Sequence, residues 1–93
     1  MPTPEFIVAL REKIGHDLLW LCGVTAVVLR DTVDGPEVLL VRRADNGLWT
    51  PVCGIVEPGE APAEAAVREV LEEAGVECRV DGLSGVGVTE PAT

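Results

Sequence analysis

The chain has 93 residues, 47% of them hydrophobic and 25% charged, with a formal net charge of −9. That length allows a single domain, residues 1–93, whose small core leaves little stability to spare. The acidic balance excludes nonspecific binding to nucleic acid or to an anionic membrane, since both need a basic surface, and a phosphorylated partner would need a cation between itself and the protein.

The predicted elements run as follows. A short helix over residues 4–14 is expected because Phe6, Leu10 and Ile14 recur every four positions and Gly15 stops it. His16, the sole histidine, lies at that helix end and reads as a surface residue. Residues 24–29 form a β-rich apolar run. Asp34-Gly35 signals a turn, and residues 37–41 form a second run, so the two make a hairpin. Arg42 and Arg43 end that second strand, with two readings open: a phosphate contact or a solvated strand end. A turn over 45–47 follows, then a short segment from Trp49 to Gly54 punctuated by Pro51. Trp20 and Trp49 read as packing residues. Pro58-Gly59 marks a loop, and Pro62 suits the first turn of a helix over 61–74 that stops at Gly75. Two further short strands are expected at 76–80 and 83–88, around a turn at Asp81-Gly82. Helix and strand runs without a linker or repeat give a mixed α/β domain.

Cys22, Cys53 and Cys78 show no metal-ligand spacing and read as buried free thiols of a reducing, cytoplasmic environment. No signal peptide is recognisable at the N-terminus, and no apolar stretch is long enough to span a bilayer.

The chemistry concentrates in the second helix. Glu57, Glu60, Glu64, Glu69, Glu72, Glu73 and Glu77 fall within 21 residues, opposed there only by Arg68. At 3.6 residues per turn, Val67, Val70, Leu71 and Ala74 form an apolar stripe, expected to face the core. Glu69, Glu72 and Glu73 fall on the opposite side. Carboxylates at i, i+3 and i+4 repel one another and raise one another's pKa, and a divalent cation reverses both penalties. Magnesium and manganese prefer such hard oxygen ligands, and magnesium shares its shell with water and substrate phosphates. Glu60 precedes the helix in a loop that can fold back toward that face. The segment from Gly54 to Gly59 would let backbone approach a phosphate or metal.

The spacing as a whole is more specific than its parts. Gly54, five residues, Glu60, seven residues, Arg68-Glu69-Val70, one residue, Glu72-Glu73, one residue, Gly75-Val76 fills all nine fixed positions of G-x5-E-x7-R-E-U-x-E-E-x-G-U, where U is a bulky aliphatic, across 23 residues. This resembles the box of the Nudix hydrolase (MutT-like) family. The resemblance extends over residues 23–88 through the runs at 24–28 and 38–43, Trp49 and Pro51. It implies an α/β/α sandwich with a mixed sheet, of which the C-terminal strands and helix are missing here. It further implies a magnesium-dependent (or manganese-dependent) pyrophosphohydrolase that cleaves a diphosphate linkage in a nucleoside diphosphate derivative, with ADP-ribose and nucleoside triphosphates among the substrates. Under that resemblance Glu69, Glu72 and Glu73 bind the metal, Glu60 assists, Gly54 places backbone near it, and Arg68 orients a glutamate by a salt bridge. Arg42 and Arg43 are the substrate-binding candidates. The general base is a glutamate in the box or in a later loop. Pro91, 15 residues beyond Val76, stands where the ADP-ribose type carries a proline. The partners implied are a nucleotide-type small molecule and, if the sheet is left uncovered, a second copy of the chain as a homodimer. The alternative class of function is a non-catalytic fragment or interaction module that keeps the metal helix.

Overall fold

The computed structural model describes residues 3–88. Its elements are α1 (Glu5–Ile14), β1 (Gly23–Ala26), β2 (Leu29–Thr32), β3 (Gly35–Val38), β4 (Val41–Arg42), β5 (Trp49–Thr50), β6 (Val52–Ile55) and α2 (Pro62–Ala74). The α/β class stands. The described strands pair as three two-stranded antiparallel ladders, β1 with β6, β2 with β3 and β4 with β5.

Local chemistry accounts for most of these boundaries. A hairpin turns at Asp34-Gly35 as expected, but its strands are β2 and β3, mostly residues expected in the turn, with Leu29 opposite Val38. Its turn is closed by Thr32, whose hydroxyl donates to the Gly35 carbonyl at 2.6 Å and accepts the Asp34 N–H at 3.2 Å. The run at 24–29 is not one strand: β1 ends at Ala26 and β2 begins at Leu29, so the chain leaves one ladder and enters another. At the start of α2, Pro62 occupies the first turn, and the Glu64 carboxylate accepts the Ala61 N–H at 3.0 Å. Ala61 has no side-chain acceptor to return, so only half of a capping box is built. Gly75 ends the helix at φ +66°, a left-handed conformation that costs a glycine little, and its N–H reaches the Leu71 carbonyl at 2.9 Å.

The core is small. Among the described residues Ile7, Val52, Ala65 and Val70 are the buried apolar ones, and Glu69 is buried as well. Helix α2 packs on β1 and β6. The face it buries only partly matches the expected one: Val70 is fully buried, but Leu71 is 51% exposed and Val67 and Ala74 are half-buried, whereas Glu69 is 2% exposed and sits on the packed side. Hydrophobic periodicity treats any glutamate as outward-facing. Here the strand opposite supplies a glycine, and the helix supplies an arginine to answer the charge.

Three other expectations are corrected. Residues 76–80 and 83–88 form no strand, because no neighbouring strand offers them a ladder, and β-propensity without a partner does not make a sheet. Trp20 and Trp49 do not pack, being 87% and 64% exposed. The cysteines are free, but Cys22 and Cys53 are exposed and Cys78 is half-buried, since none lies on the face where α2 meets β6. His16 is exposed just beyond α1, as expected. Pro91 lies outside the described residues. Among the described residues no helix is long and apolar enough to cross a membrane.

Candidate functional site

The site is organised by one cation. Arg68, on the α2 face turned toward the loop before the helix, donates from Nε to Glu60 Oε2 at 2.7 Å and from Nη2 to Glu60 Oε1 at 2.9 Å. This two-point fit of a planar guanidinium to a carboxylate is the strongest geometry such a pair can adopt. Nη2 also donates to the Ile55 carbonyl at 3.1 Å, at the end of β6. Nη1 donates to Glu69 Oε1 at 2.8 Å and to Glu72 Oε2 at 3.3 Å. Arg68 thus ties the loop, the strand and two helix glutamates together.

The electrostatics follow. Arg68 lowers the Glu60 carboxyl to about pH 2, chiefly through these hydrogen bonds, with the Glu57 N–H contributing a further one at 3.1 Å. Each Glu60 oxygen thus accepts at least one hydrogen bond, and Glu60 is not among the residues that line the cleft described below. Glu69 goes the other way. Burial raises its pKa, and Arg68 only partly offsets this. The Arg68 guanidinium is itself pushed upward by its carboxylate partners, Glu60 foremost.

Because Glu60 is depressed, it stabilises the fold at pH above the ordinary glutamate value of 4.5, and that contribution is lost as pH falls from there toward about 2. Glu60→Gln is therefore expected to melt below the wild type at neutral pH and to approach it near pH 2. Thermal melts across that range check this, and a constant difference at every pH would refute it.

Glu69 fits its place because of Gly54. A Cβ at Gly54 would overlap Glu69 Cδ and Cγ and stand 2.6 Å from Oε1. The strand passes so close to the carboxylate that only a hydrogen fits between them. Of Glu69's two oxygens, Oε1 is bonded to Arg68, while Oε2 is buried and has no hydrogen-bond partner. A buried carboxylate oxygen left unsatisfied is costly, and a bound cation is one of the few things that would satisfy it. On this observation the residues suit a hard divalent cation, although among the described residues no three acidic, histidine or cysteine side chains are already grouped to hold one.

An open cleft of about 1180 Å³ gathers the remaining residues. Glu69, Glu72 and Glu73 of α2 line it together with Arg42 and Arg43 from the end of β4, so the structure brings together residues the sequence placed about 30 positions apart. Three arginines and six carboxylates line this space, which leaves it net negative and hostile to a bare phosphate. Glu57, Asp45 and Cys53 also line it, and sequence reasoning missed all three. Glu57 was visible only as one charge in an acidic run, Asp45 only as a turn former, and Cys53 only as an isolated thiol.

The NUDIX domain family matches residues 21–90. A MutT-like protein of Streptomyces ambofaciens is 46% identical over 64 residues, covering 69% of this chain and 40% of that protein. The 8-oxo-dGDP phosphatase NUDT18 of Homo sapiens is 39% identical over 92 residues, covering 96% of this chain and 26% of that protein. The NAD-capped RNA hydrolase NudC of Pseudomonas entomophila is 47% identical over 47 residues, covering 48% of this chain and 17% of that protein. The chain thus spans less than half the length of each of these relatives. With the family match covering most of the chain and Arg68, Glu69, Glu72 and Glu73 of the motif lining one cleft, this chain belongs to the NUDIX domain family.

Proposed function

We propose that the chain binds a divalent cation, magnesium or manganese, at Glu69, Glu72 and Glu73, and serves the hydrolysis of a diphosphate linkage in a nucleoside diphosphate derivative. The observation that carries this is the buried, unpartnered Oε2 of Glu69 on a cleft that also holds Glu72, Glu73 and two arginines. When bound, the cation supplies charge neutralisation on the diphosphate oxygens and an activated water. The chain's own residues do the rest. Arg68 fixes Glu69 through Oε1 and leaves Oε2 free. Glu60 fixes Arg68 and takes a positioning role in place of a ligand's. Gly54 gives the carboxylate room, and Arg42 and Arg43 offer positive charge to phosphate across from the helix. The relatives named for 8-oxo-dGDP and NAD-capped RNA support a nucleotide substrate. The exposed Leu29 on β2 and Val38 on β3, opposite one another, support a second copy of the chain as a further partner.

The test is product release from a panel of 8-oxo-dGDP, ADP-ribose, NAD and nucleoside triphosphates, with magnesium or with chelator, on protein sized by chromatography. We expect metal-dependent turnover of at least one substrate, lost in Glu73→Gln and kept in His16→Ala, whose side chain is exposed and outside the cleft. Calorimetry should show weakened magnesium binding in Glu72→Gln and Glu73→Gln. Binding without turnover would mark the chain as a non-catalytic metal-binding module, and neither binding nor turnover would overturn the whole reading.

A further inference from the structure

The turn between β4 and β5 is built around two of the cleft's arginines, Arg42 and Arg43. Arg43 N–H donates to the Leu48 carbonyl at 2.8 Å, Gly47 N–H donates to the Arg43 carbonyl at 2.9 Å, and the Asn46 side chain accepts the Leu48 N–H at 2.9 Å. The turn's own groups then engage both guanidinium groups. Arg42 Nε donates to the Gly47 carbonyl at 3.1 Å. Arg43 donates to Asp45 twice, from Nε to Oδ1 at 2.9 Å and from Nη2 to Oδ2 at 2.7 Å.

We propose that Asp45 is a positioning residue for phosphate recognition: it holds the Arg43 guanidinium by its side-on edge so that the end-on edge is presented to a diphosphate in the cleft. This deepens the proposed function and rests on it. A guanidinium has five N–H donors and two edges that can grip an oxyanion. Asp45 takes Nε and one Nη2 proton. The three remaining donors include the Nη1–Nη2 pair that makes the second edge. A free arginine loses much rotamer freedom when it grips a ligand, and a guanidinium already held on one side loses less. Arg43, Asp45 and Glu73 line the same cleft, which sets this arginine opposite the metal-binding face of α2.

Stability does not account for the pair. The Arg43 and Asp45 side chains are 47% and 62% exposed, and ion pairs this open contribute little to folding. Asp45→Ala is therefore expected to leave the melting temperature within about a degree of wild type while weakening substrate capture.

The experiment measures KM and kcat on the best substrate of the panel, and calorimetric binding of ADP with magnesium, in the wild type, Asp45→Ala, Arg43→Ala and the double variant. Magnesium affinity is measured alone as a control. We expect Asp45→Ala to raise KM and the ADP dissociation constant about fivefold or more, with kcat within about twofold and magnesium affinity unchanged. In the Arg43→Ala background, Asp45→Ala should have no further effect, because Asp45 acts only through Arg43. Unchanged or tighter binding in Asp45→Ala would overturn the proposal and make Asp45 a competitor for the arginine. Additive effects in the double variant would overturn it as well. A wild type that binds ADP with magnesium but does not turn over sinks the hydrolase reading alone, since the cycle is still read by calorimetry. A wild type that does not bind ADP sinks the positioning role too.

Discussion

Gly54→Ala is expected to destabilise the chain by about 1–3 kcal/mol, the usual cost of forcing an extra carbon into a packed site, and to weaken magnesium binding at least tenfold. The added methyl would occupy the space now held by the Glu69 side chain. Glu69 cannot simply swing aside. Its Cβ is fixed by the helix, the residue is almost fully buried, and its Oε1 is bonded to an arginine that itself bridges Glu60, Glu72 and the Ile55 carbonyl. Either β6 and α2 part, which uncovers Val52 and Val70, or Glu69 leaves its position, which displaces the unpartnered oxygen. Both routes damage the proposed metal site and the core together, because Gly54 and Val52 share one short strand. Chemical denaturation and magnesium calorimetry on the same preparation check this. A variant that loses metal affinity with unchanged stability would show that the crowding is relieved within the side chain alone. A variant unchanged in both would refute the close approach.

Gly54 also shows which features were legible in the sequence. The motif spacing marked it, and the α2 boundaries were readable to within a residue, because Pro62 and Gly75 are local signals that need no knowledge of the rest of the fold. The turn of the β2–β3 hairpin was legible for the same reason, through Asp34-Gly35, although its strands lie closer to that turn than the apolar runs suggested. What failed depended on partners distant in sequence. Residues 76–88 carry aliphatics suited to strands but find none to pair with. Trp20 and Trp49 are large and apolar, but size does not create a surface to pack against. On the buried side of α2 Val70 was placed correctly and Glu69 was not, because Glu69 is buried only through two complementary residues, a glycine on the strand and the arginine that precedes it on the helix. Asp45 was invisible as more than a turn former, since its pairing with Arg43 requires the geometry of residues 43–48.

Glu69→Gln should separate the metal's contribution from that of the fold. In the wild type burial lifts the Glu69 pKa above the ordinary glutamate value of 4.5. The folded state therefore holds its proton more tightly than the unfolded state does. Linkage then gives the sign: this group's contribution to stability is most favourable below 4.5 and is lost as pH rises through the folded value, where the charge must be carried in a buried place. A cation on Oε2 opposes that loss, but only once the proton has left. The increase in Tm on adding magnesium should accordingly be small near pH 4.5 and grow to its full size above the folded pKa. Glutamine keeps a carbonyl oxygen to accept from Arg68 Nη1 and carries no charge to titrate. Glu69→Gln should thus keep the metal-free melting temperature within a few degrees of wild type at neutral pH, lose the magnesium-induced rise at every pH, and lower any turnover by about a hundredfold or more, the scale set by removing a group that stabilises transition-state charge. Differential scanning calorimetry with and without magnesium, from about pH 4.5 to pH 8, measures all but the last. A magnesium-induced rise that persists in Glu69→Gln would move the cation away from the buried oxygen and onto Glu72 and Glu73 alone, where Arg68 Nη1 already competes for Glu72 Oε2 at 3.3 Å.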